Sequence, residues 1–192
     1  MSRKVLLLGL GMALAFFCTL QPAADDHESD AVAAFATVEK VFQHPRCVNC
    51  HIEGDAPLQG DDGIPHDMNV VRGPDGHGGA GQHCTDCHGD ANLPASYGAE
   101  APPGAPHWGL PPADQKMAWL GLSASELCVM IKDPQRNGDR DMDALVKHVS
   151  EDALVLWGWE PGGERTPVDV PFDKFVSDFK TWAAADGPCP GS

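Results

Sequence analysis

The chain has few basic residues for its length. Its 192 residues include 13 Lys and Arg against 28 Asp and Glu, which gives a formal net charge of −15 at pH 7. Nucleic-acid-binding proteins carry basic patches that neutralise phosphates, so this composition excludes that class. Strong acidity favours solubility and a basic docking partner. Net charge alone, however, indicates a solvated surface rather than a particular partner.

The sequence also lacks the sustained polar and apolar alternation that is typical of β-strands, so strands are not expected. Apolar residues instead recur at helical spacing in several segments. Residues 54–81 and 98–112 are rich in Gly, Pro and Asp and are predicted to be irregular. The predicted fold class is mainly α, with long irregular loops between the helices. Helices are predicted over 30–42 with Asp30 as N-cap, 123–131 with a Ser123/Glu126 capping box, 141–149, 151–157 and 172–182.

The N-terminus indicates export. Arg3 and Lys4 precede an apolar run over residues 5–20, a pattern typical of a secretory signal and short for a membrane span of about 20 residues. We predict a signal peptide over 1–24 and a periplasmic mature domain over 25–192, with 11 basic and 28 acidic residues and a net charge of −17. Cleavage after residue 24 places Pro22 where a small residue is preferred, so retention of the segment as a membrane anchor is the alternative.

One pentapeptide pattern, CxxCH, occurs twice, as Cys47-Val48-Asn49-Cys50-His51 and Cys84-Thr85-Asp86-Cys87-His88. This spacing is typical of haem c attachment. The two thiols form thioethers to one porphyrin, and the adjacent imidazole reaches the iron from one face. Two copies behind an export signal are far more specific than one. We therefore predict two haem c groups, bound by Cys47, Cys50, His51, Cys84, Cys87 and His88.

The alternatives for these cysteines are a zinc site and a thioredoxin-like redox motif. A zinc ribbon separates its CxxC pairs by roughly 15–20 residues, whereas 33 residues lie between Cys50 and Cys84. A thioredoxin-like motif requires a surrounding βαβ pattern, and none is visible. Both alternatives fit the sequence less well than haem attachment.

Two cysteines lie outside both the predicted signal and the haem motifs. The chain has seven in total, of which Cys18 lies in the predicted signal and four lie in the haem motifs. Cys128 and Cys189 remain, and in an oxidising compartment we expect them to form a disulfide. Two unrelated buried thiols are the alternative.

The second axial ligand of each iron is less clearly indicated. His66 and His107 are the favoured candidates, because each lies in an irregular, proline-flanked loop downstream of a haem motif. Met68, Met117 and His148 are the alternatives. Histidine or methionine would close the site, and methionine would raise the potential. Five tryptophans are expected to pack on the porphyrins or in the core: Trp108, Trp119, Trp157, Trp159 and Trp182.

Three further tracts accompany the motifs: PLQGD at 57–61, MNVVRG at 68–73 and PGAPHW at 103–108. Over residues 44–120 the chain resembles a group of proteobacterial dihaem proteins labelled isoquinoline 1-oxidoreductase subunits. The resemblance implies a haem-bearing partner of a periplasmic oxidoreductase such as a molybdenum hydroxylase. The chain lacks the length of a molybdopterin domain and the additional cysteines of iron–sulfur clusters, so it is not that catalytic subunit.

These patterns predict a dihaem c-type cytochrome rather than an enzyme. Its expected fold is a small helical c-type cytochrome-like domain with long irregular loops that wrap the two haems. Its role would be to carry single electrons between a dehydrogenase or other oxidoreductase and an acceptor, and its partners would be redox proteins. Contact with a membrane is expected only if the N-terminal segment is retained. The alternatives are a small peroxidase-like haem enzyme and a haem-based sensor, each with one open iron. No acid–base constellation stands out in the sequence, which favours the carrier.

Overall fold

A computed structural model describes residues 24–191 of the chain. It is 44% helix and 5% strand, so the chain is mainly α, as predicted. Within the described part no helix combines the length and apolar character needed to cross a membrane. The α-helices are α1 Ala24–Phe42, α2 Pro45–Val48, α3 Ala124–Lys132, α4 Pro134–Asn137, α5 Met142–Glu151, α6 Ala153–Leu156 and α7 Phe172–Ala184.

Helix α1 ends at Phe42, where it was predicted to end, but begins six residues before the predicted start. Asp30 therefore lies inside the helix, and its prediction as the N-cap is wrong. Acidic residues are favourable near a helix N-terminus because they complement the helix dipole. Asp26 and Glu28 supply such charge, which allows the helix to extend upstream of Asp30.

The capping box predicted for α3 is present. Ser123 Oγ accepts a hydrogen bond from the Glu126 backbone N–H, and Glu126 Oε2 accepts one from the Ser123 N–H at 2.9 Å. Pro134 lies beyond the end of α3, as predicted, but it also occupies the first turn of α4. Proline is tolerated there because the first helical N–H groups have no intrahelical acceptor.

The helix predicted over 151–157 is divided in the structure. Asp152 has an extended backbone between α5 and α6, and its carboxylate accepts hydrogen bonds from the backbone of Leu154 and Val155. Helix α6 then continues into a 3₁₀ turn, Trp157–Trp159. Asp152 therefore works as an N-cap rather than as a helix-interior residue.

Four two-residue strands form two antiparallel hairpins, so the expectation that the chain has no strands is wrong in this detail. They are β1 Leu58–Gln59 with β2 Ile64–Pro65, and β3 Gly78–Gly79 with β4 Gln82–His83. The turns use glycines with positive φ, including Gly60 and Gly81. Strands of two residues are too short to produce a detectable alternation in the sequence.

The core lies between α1 and α7, which pack together most extensively, with α5 also against α7. Phe35 and Val38 of α1 and Phe179 and Trp182 of α7 are fully buried. The predicted disulfide is confirmed: Cys128 of α3 is bonded to Cys189, with 5.5 Å between their Cα atoms. It ties the segment after α7 to the core.

Irregular segments cover the other side of this helical core. Residues 98–112 contain no helix or strand, as predicted, whereas 54–81 contain β1–β3 and a 3₁₀ turn, Asp67–Asn69. The buried guanidinium of Arg72 connects these segments by donating hydrogen bonds to the carbonyl oxygens of Ile52, Gly54 and Pro111. One buried cation thus fixes the loops that surround both CxxCH motifs.

Candidate haem-binding sites

The first CxxCH motif forms a helical turn at the edge of a cavity. His44 has an extended backbone, and its imidazole accepts a hydrogen bond from the Arg46 N–H at the start of α2. The N–H groups of Cys50 and His51 both donate to the Cys47 carbonyl. This turn brings both thiols and the imidazole to the wall of the same cavity.

The cavity has a volume of about 340 Å³ and mainly apolar walls. Its size and character are typical of pockets that bind a cofactor. Helices α1, α5 and α7 supply much of the wall. The apolar side chains they contribute are Val41, Phe42, Leu145, Val149, Phe175 and Phe179.

His51 is held in one orientation and one tautomer. Its Nδ1 lies 2.7 Å from the Met117 carbonyl oxygen. A carbonyl can only accept, so Nδ1 carries the proton and Nε2 keeps its lone pair. The ring is stacked on Trp119, with centroids 3.5 Å apart and planes inclined by 1°. Burial lowers the pKa of His51 to about 3, so the imidazole is neutral and suited to bind a metal.

The thiols of the first motif are also neutral in the protein. Burial raises the pKa of Cys47 to about 12 and that of Cys50 to about 11, and Cys84 contributes further to the second value. Neither cysteine forms a disulfide.

The second motif begins with a 3₁₀ turn, Cys84–Asp86, that is anchored by the Asp86 carboxylate. Cys84 is buried and Cys87 is exposed, so this site opens to the surface. Of the eight exposed large apolar side chains in the described part of the chain, five fall within residues 64–97, the stretch that contains this motif, and a porphyrin would cover apolar surface of this kind. They are Ile64, Met68, Val71, Leu93 and Tyr97.

His88 repeats the environment of His51. Its Nδ1 lies 2.7 Å from the Pro103 carbonyl oxygen, so Nε2 is again unprotonated. The ring is stacked on Trp108, with centroids 4.4 Å apart and planes inclined by 5°. Burial lowers the pKa of His88. Each CxxCH histidine thus has a carbonyl acceptor and a parallel indole.

The structure places His66 beside the second motif, although in sequence it follows the first. The ring centroids of His66 and His88 are 6.1 Å apart and their planes are inclined by 66°. The His66 Nδ1 lies 2.8 Å from the carbonyl oxygen of Asp67, so its Nε2 is free as well. Met68 lies nearby on the chain and is 69% exposed.

The other candidate ligands line the first cavity. His148 extends into it from α5, on the same helix face as Leu145 and Val149, and its Nδ1 lies 3.3 Å from an Asp152 carboxylate oxygen. His107 is exposed and has a positive φ of 60°, although Ala105 and Leu110 of the same loop are buried. Met117 is buried, and its backbone carbonyl accepts the hydrogen bond from His51 Nδ1.

Polar atoms in the cavity wall fit the carboxylates of a haem. Arg46 Nε and Trp119 Nε1 are buried and have no hydrogen-bond partner among the described residues, and Arg136 and Arg140 also line the cavity. Buried donors require acceptors, and a porphyrin supplies an apolar ring with two propionates. Over residues 24–191, no three His, Cys, Asp or Glu side chains are grouped to hold a metal ion. A haem iron requires no such group, because the porphyrin supplies four of its ligands.

Trp108 connects the two sites. It lines the first cavity, stacks on His88, and meets the indole of Trp157 edge-on at 4.9 Å. Trp157 Nε1 donates to Asn92 Oδ1, which also accepts from the Gly104 N–H. Sequence reasoning did not identify Asn92 or Arg46, because single polar residues outside a motif carry no pattern.

Comparisons of the chain with protein-family models, with curated proteins and with solved structures found no match. The function is therefore argued from the chemistry of the sites themselves.

Proposed function

We propose that the chain is a periplasmic dihaem c-type cytochrome that transfers single electrons between an oxidoreductase and an acceptor. Cys47, Cys50 and His51 would hold one haem, and Cys84, Cys87 and His88 the other. Each iron would supply one-electron chemistry between its ferric and ferrous states.

One observation carries the proposal: the two CxxCH histidines occupy equivalent environments. His51 and His88 each donate Nδ1–H to a carbonyl, at 2.7 Å in both cases, and each stacks on an indole. This arrangement leaves Nε2 aimed away from the protein partner and fixes the ring plane, which is what an axial ligand needs. A pair of structural histidines would not require the same arrangement twice, each beside two free cysteines.

The residues around the sites suit electron transfer. The apolar cavity around His51 would exclude water from one haem, and burial is one of the factors that set its potential. The second motif, with Cys87 exposed, would leave the edge of the other haem accessible to a partner. Trp108 lines the first cavity, stacks on His88 and contacts Trp157, so packed aromatic rings would lie near both haems.

The sequence resemblance indicates the class of partner. The net charge of −15 is compatible with a basic docking surface on that partner but does not identify it. The resemblance noted above points to a periplasmic oxidoreductase such as a molybdenum hydroxylase as the electron donor. The N-terminal segment lies almost wholly outside the described residues, so export, or anchoring by an uncleaved segment, is proposed from sequence alone.

The first test is the visible spectrum of the purified exported protein, oxidised and reduced, with covalent haem counted per chain. We expect two haems, both low-spin. The double variants Cys47→Ala/Cys50→Ala and Cys84→Ala/Cys87→Ala should each bind one. A protein that binds no haem when expressed with a competent maturation system would refute the proposal. One high-spin iron that binds small ligands would favour the peroxidase-like enzyme or the sensor.

A further inference from the structure

A second histidine, His66, lies close to His88 of the second motif. Metal–imidazole bonds are about 2 Å long, and a ring nitrogen lies about 1 Å from its centroid, so two imidazoles that share one metal have centroids about 6 Å apart. His66 and His88 are 6.1 Å apart. An edge-to-face contact between two aromatic rings has the same separation and inclination, so the assignment rests in addition on the orientation of the two Nε2 atoms.

The backbone orients His66 for this role. The His66 N–H donates to the Pro57 carbonyl, and its Nδ1 donates to the Asp67 carbonyl. Both rings thus have Nδ1 engaged by carbonyl oxygens and Nε2 free. Met68, the neighbouring alternative, is mostly exposed, and its carbonyl is held by the Gln82 side chain.

At the first motif, the second histidine is His148 of helix α5, which lines the same cavity as His51. Leu145, His148 and Val149 lie on one helix face and line the cavity that contains His51. Asp152, the extended residue that follows α5, places a carboxylate oxygen 3.3 Å from His148 Nδ1. A carboxylate on the second nitrogen is a common way to orient a metal-bound histidine and raise its basicity. His107 lacks this support, because it has no carboxylate partner among the described residues and is itself exposed.

We propose that both irons are bis-histidine ligated, the first by His51 and His148 and the second by His88 and His66. This inference rests on the proposed function. It assigns His66 to the motif that follows it in sequence, and it takes the distal ligand of the first haem from a helix about 100 residues downstream. Both sites would then be closed, which opposes a peroxidase or sensor with an open iron.

The test is electron paramagnetic resonance of the oxidised dihaem protein, with the near-infrared charge-transfer band that separates bis-histidine from histidine–methionine ligation. Haem is counted in every sample. We expect two low-spin bis-histidine signals. His66→Ala and His148→Ala should each convert one of the two haems to high spin while two haems stay bound. His107→Ala should leave both haems low-spin, and the surface variant His27→Ala, a matched control on α1, should leave both signals unchanged.

Several outcomes would overturn the inference. A methionine-ligation band in the unaltered protein would do so, as would conversion of the first haem by His107→Ala instead of His148→Ala. Where an alanine variant fails to accumulate, His66→Met and His148→Met keep a ligand in place. Each should introduce the methionine band at one haem and raise its potential alone, and absence of that band would contradict the assignment. These results differ from failure of the proposed function, in which the unaltered protein binds no haem.

Discussion

The imidazole of His51 and the indole of Trp119 are stacked with centroids 3.5 Å apart and planes inclined by 1°. Trp119 is itself stacked on Phe42, at 4.1 Å and 6°, so a three-ring column runs from helix α1 to the histidine. Its counterpart at the second motif is shorter, because Trp108 stacks on His88 but meets Trp157 edge-on. In each case an indole restricts rotation of the ring.

Replacing these indoles should affect the haems one at a time. Trp119→Leu should broaden or shift the low-spin resonance of the first haem, because His51 loses the surface that fixes its plane. Trp108→Leu should do the same at the second. Trp119→Leu also loses the contact with Phe42 and should cost about 1–3 kcal/mol of unfolding free energy. Paramagnetic resonance of both variants provides the measurement, and a change in the same haem from both substitutions would contradict the assignment.

Local chemistry allowed much of this architecture to be predicted. The capping box of Ser123 and Glu126, the C-terminal end of α1 and the start of α7 depend on neighbouring residues, and the disulfide followed from counting cysteines. Which motif His66 lies beside could not be predicted, because it depends on how loops fold back in three dimensions. His66 reaches the second motif through turns at positive-φ glycines and through the contacts of the buried Arg72, and neither leaves a periodic signal.

Asp61 joins three parts of the chain near the first motif. Its carboxylate accepts from the buried Arg46 guanidinium at 2.6 Å and from the Thr166 hydroxyl at 2.6 Å. Asp61→Asn should lower the unfolding free energy at pH 7 by about 1–2 kcal/mol, a modest value because the side chain is 41% exposed and solvent screens the charge. Denaturant unfolding of the holoprotein measures this. Asp62→Asn, an exposed neighbour, is the matched control and should be close to neutral.

The same variant has a predictable pH dependence. The hydrogen bond from Thr166, followed by the charge of Arg46, lowers the pKa of Asp61 below its usual 3.8. The unfolded chain therefore binds the proton more readily than the folded protein, so this stabilisation is complete above pH 3.8 and is lost as the pH falls through the folded pKa. The stability difference between the unaltered protein and Asp61→Asn should shrink over that interval. A difference that stays constant down to the lowest accessible pH would contradict the role of the charge.

The disulfide should contribute mainly to stability. It joins residues 61 positions apart, and in the loop-entropy model a closure of this kind is worth about 2–4 kcal/mol. We expect Cys128→Ser/Cys189→Ser to lower the denaturant midpoint accordingly, with both haem spectra unchanged because the bond lies at α3 and the C-terminal segment. Loss of haem from the variant would instead place the disulfide in the haem-binding structure.

Gly104 is the position where a single methyl group should disturb the second site. A Cβ there would overlap the carbonyl oxygens of Ala91 and Gly89, which are backbone atoms and cannot move aside cheaply. The preceding carbonyl, that of Pro103, accepts the hydrogen bond from His88 Nδ1. Any shift of this segment therefore moves the hydrogen-bond acceptor of His88.

Gly104→Ala should cost about 1–3 kcal/mol of unfolding free energy through overpacking, and it should alter the resonance of the second haem while leaving the first unchanged. Gly54→Ala is the control, since no atom lies within 4 Å of its added Cβ and both properties should be retained. Thermal unfolding and paramagnetic resonance of the two variants measure the difference. If Gly104→Ala matched Gly54→Ala in both, the segment carrying Pro103 would be free to move, and the fixed orientation of His88 would have to come from Trp108 alone.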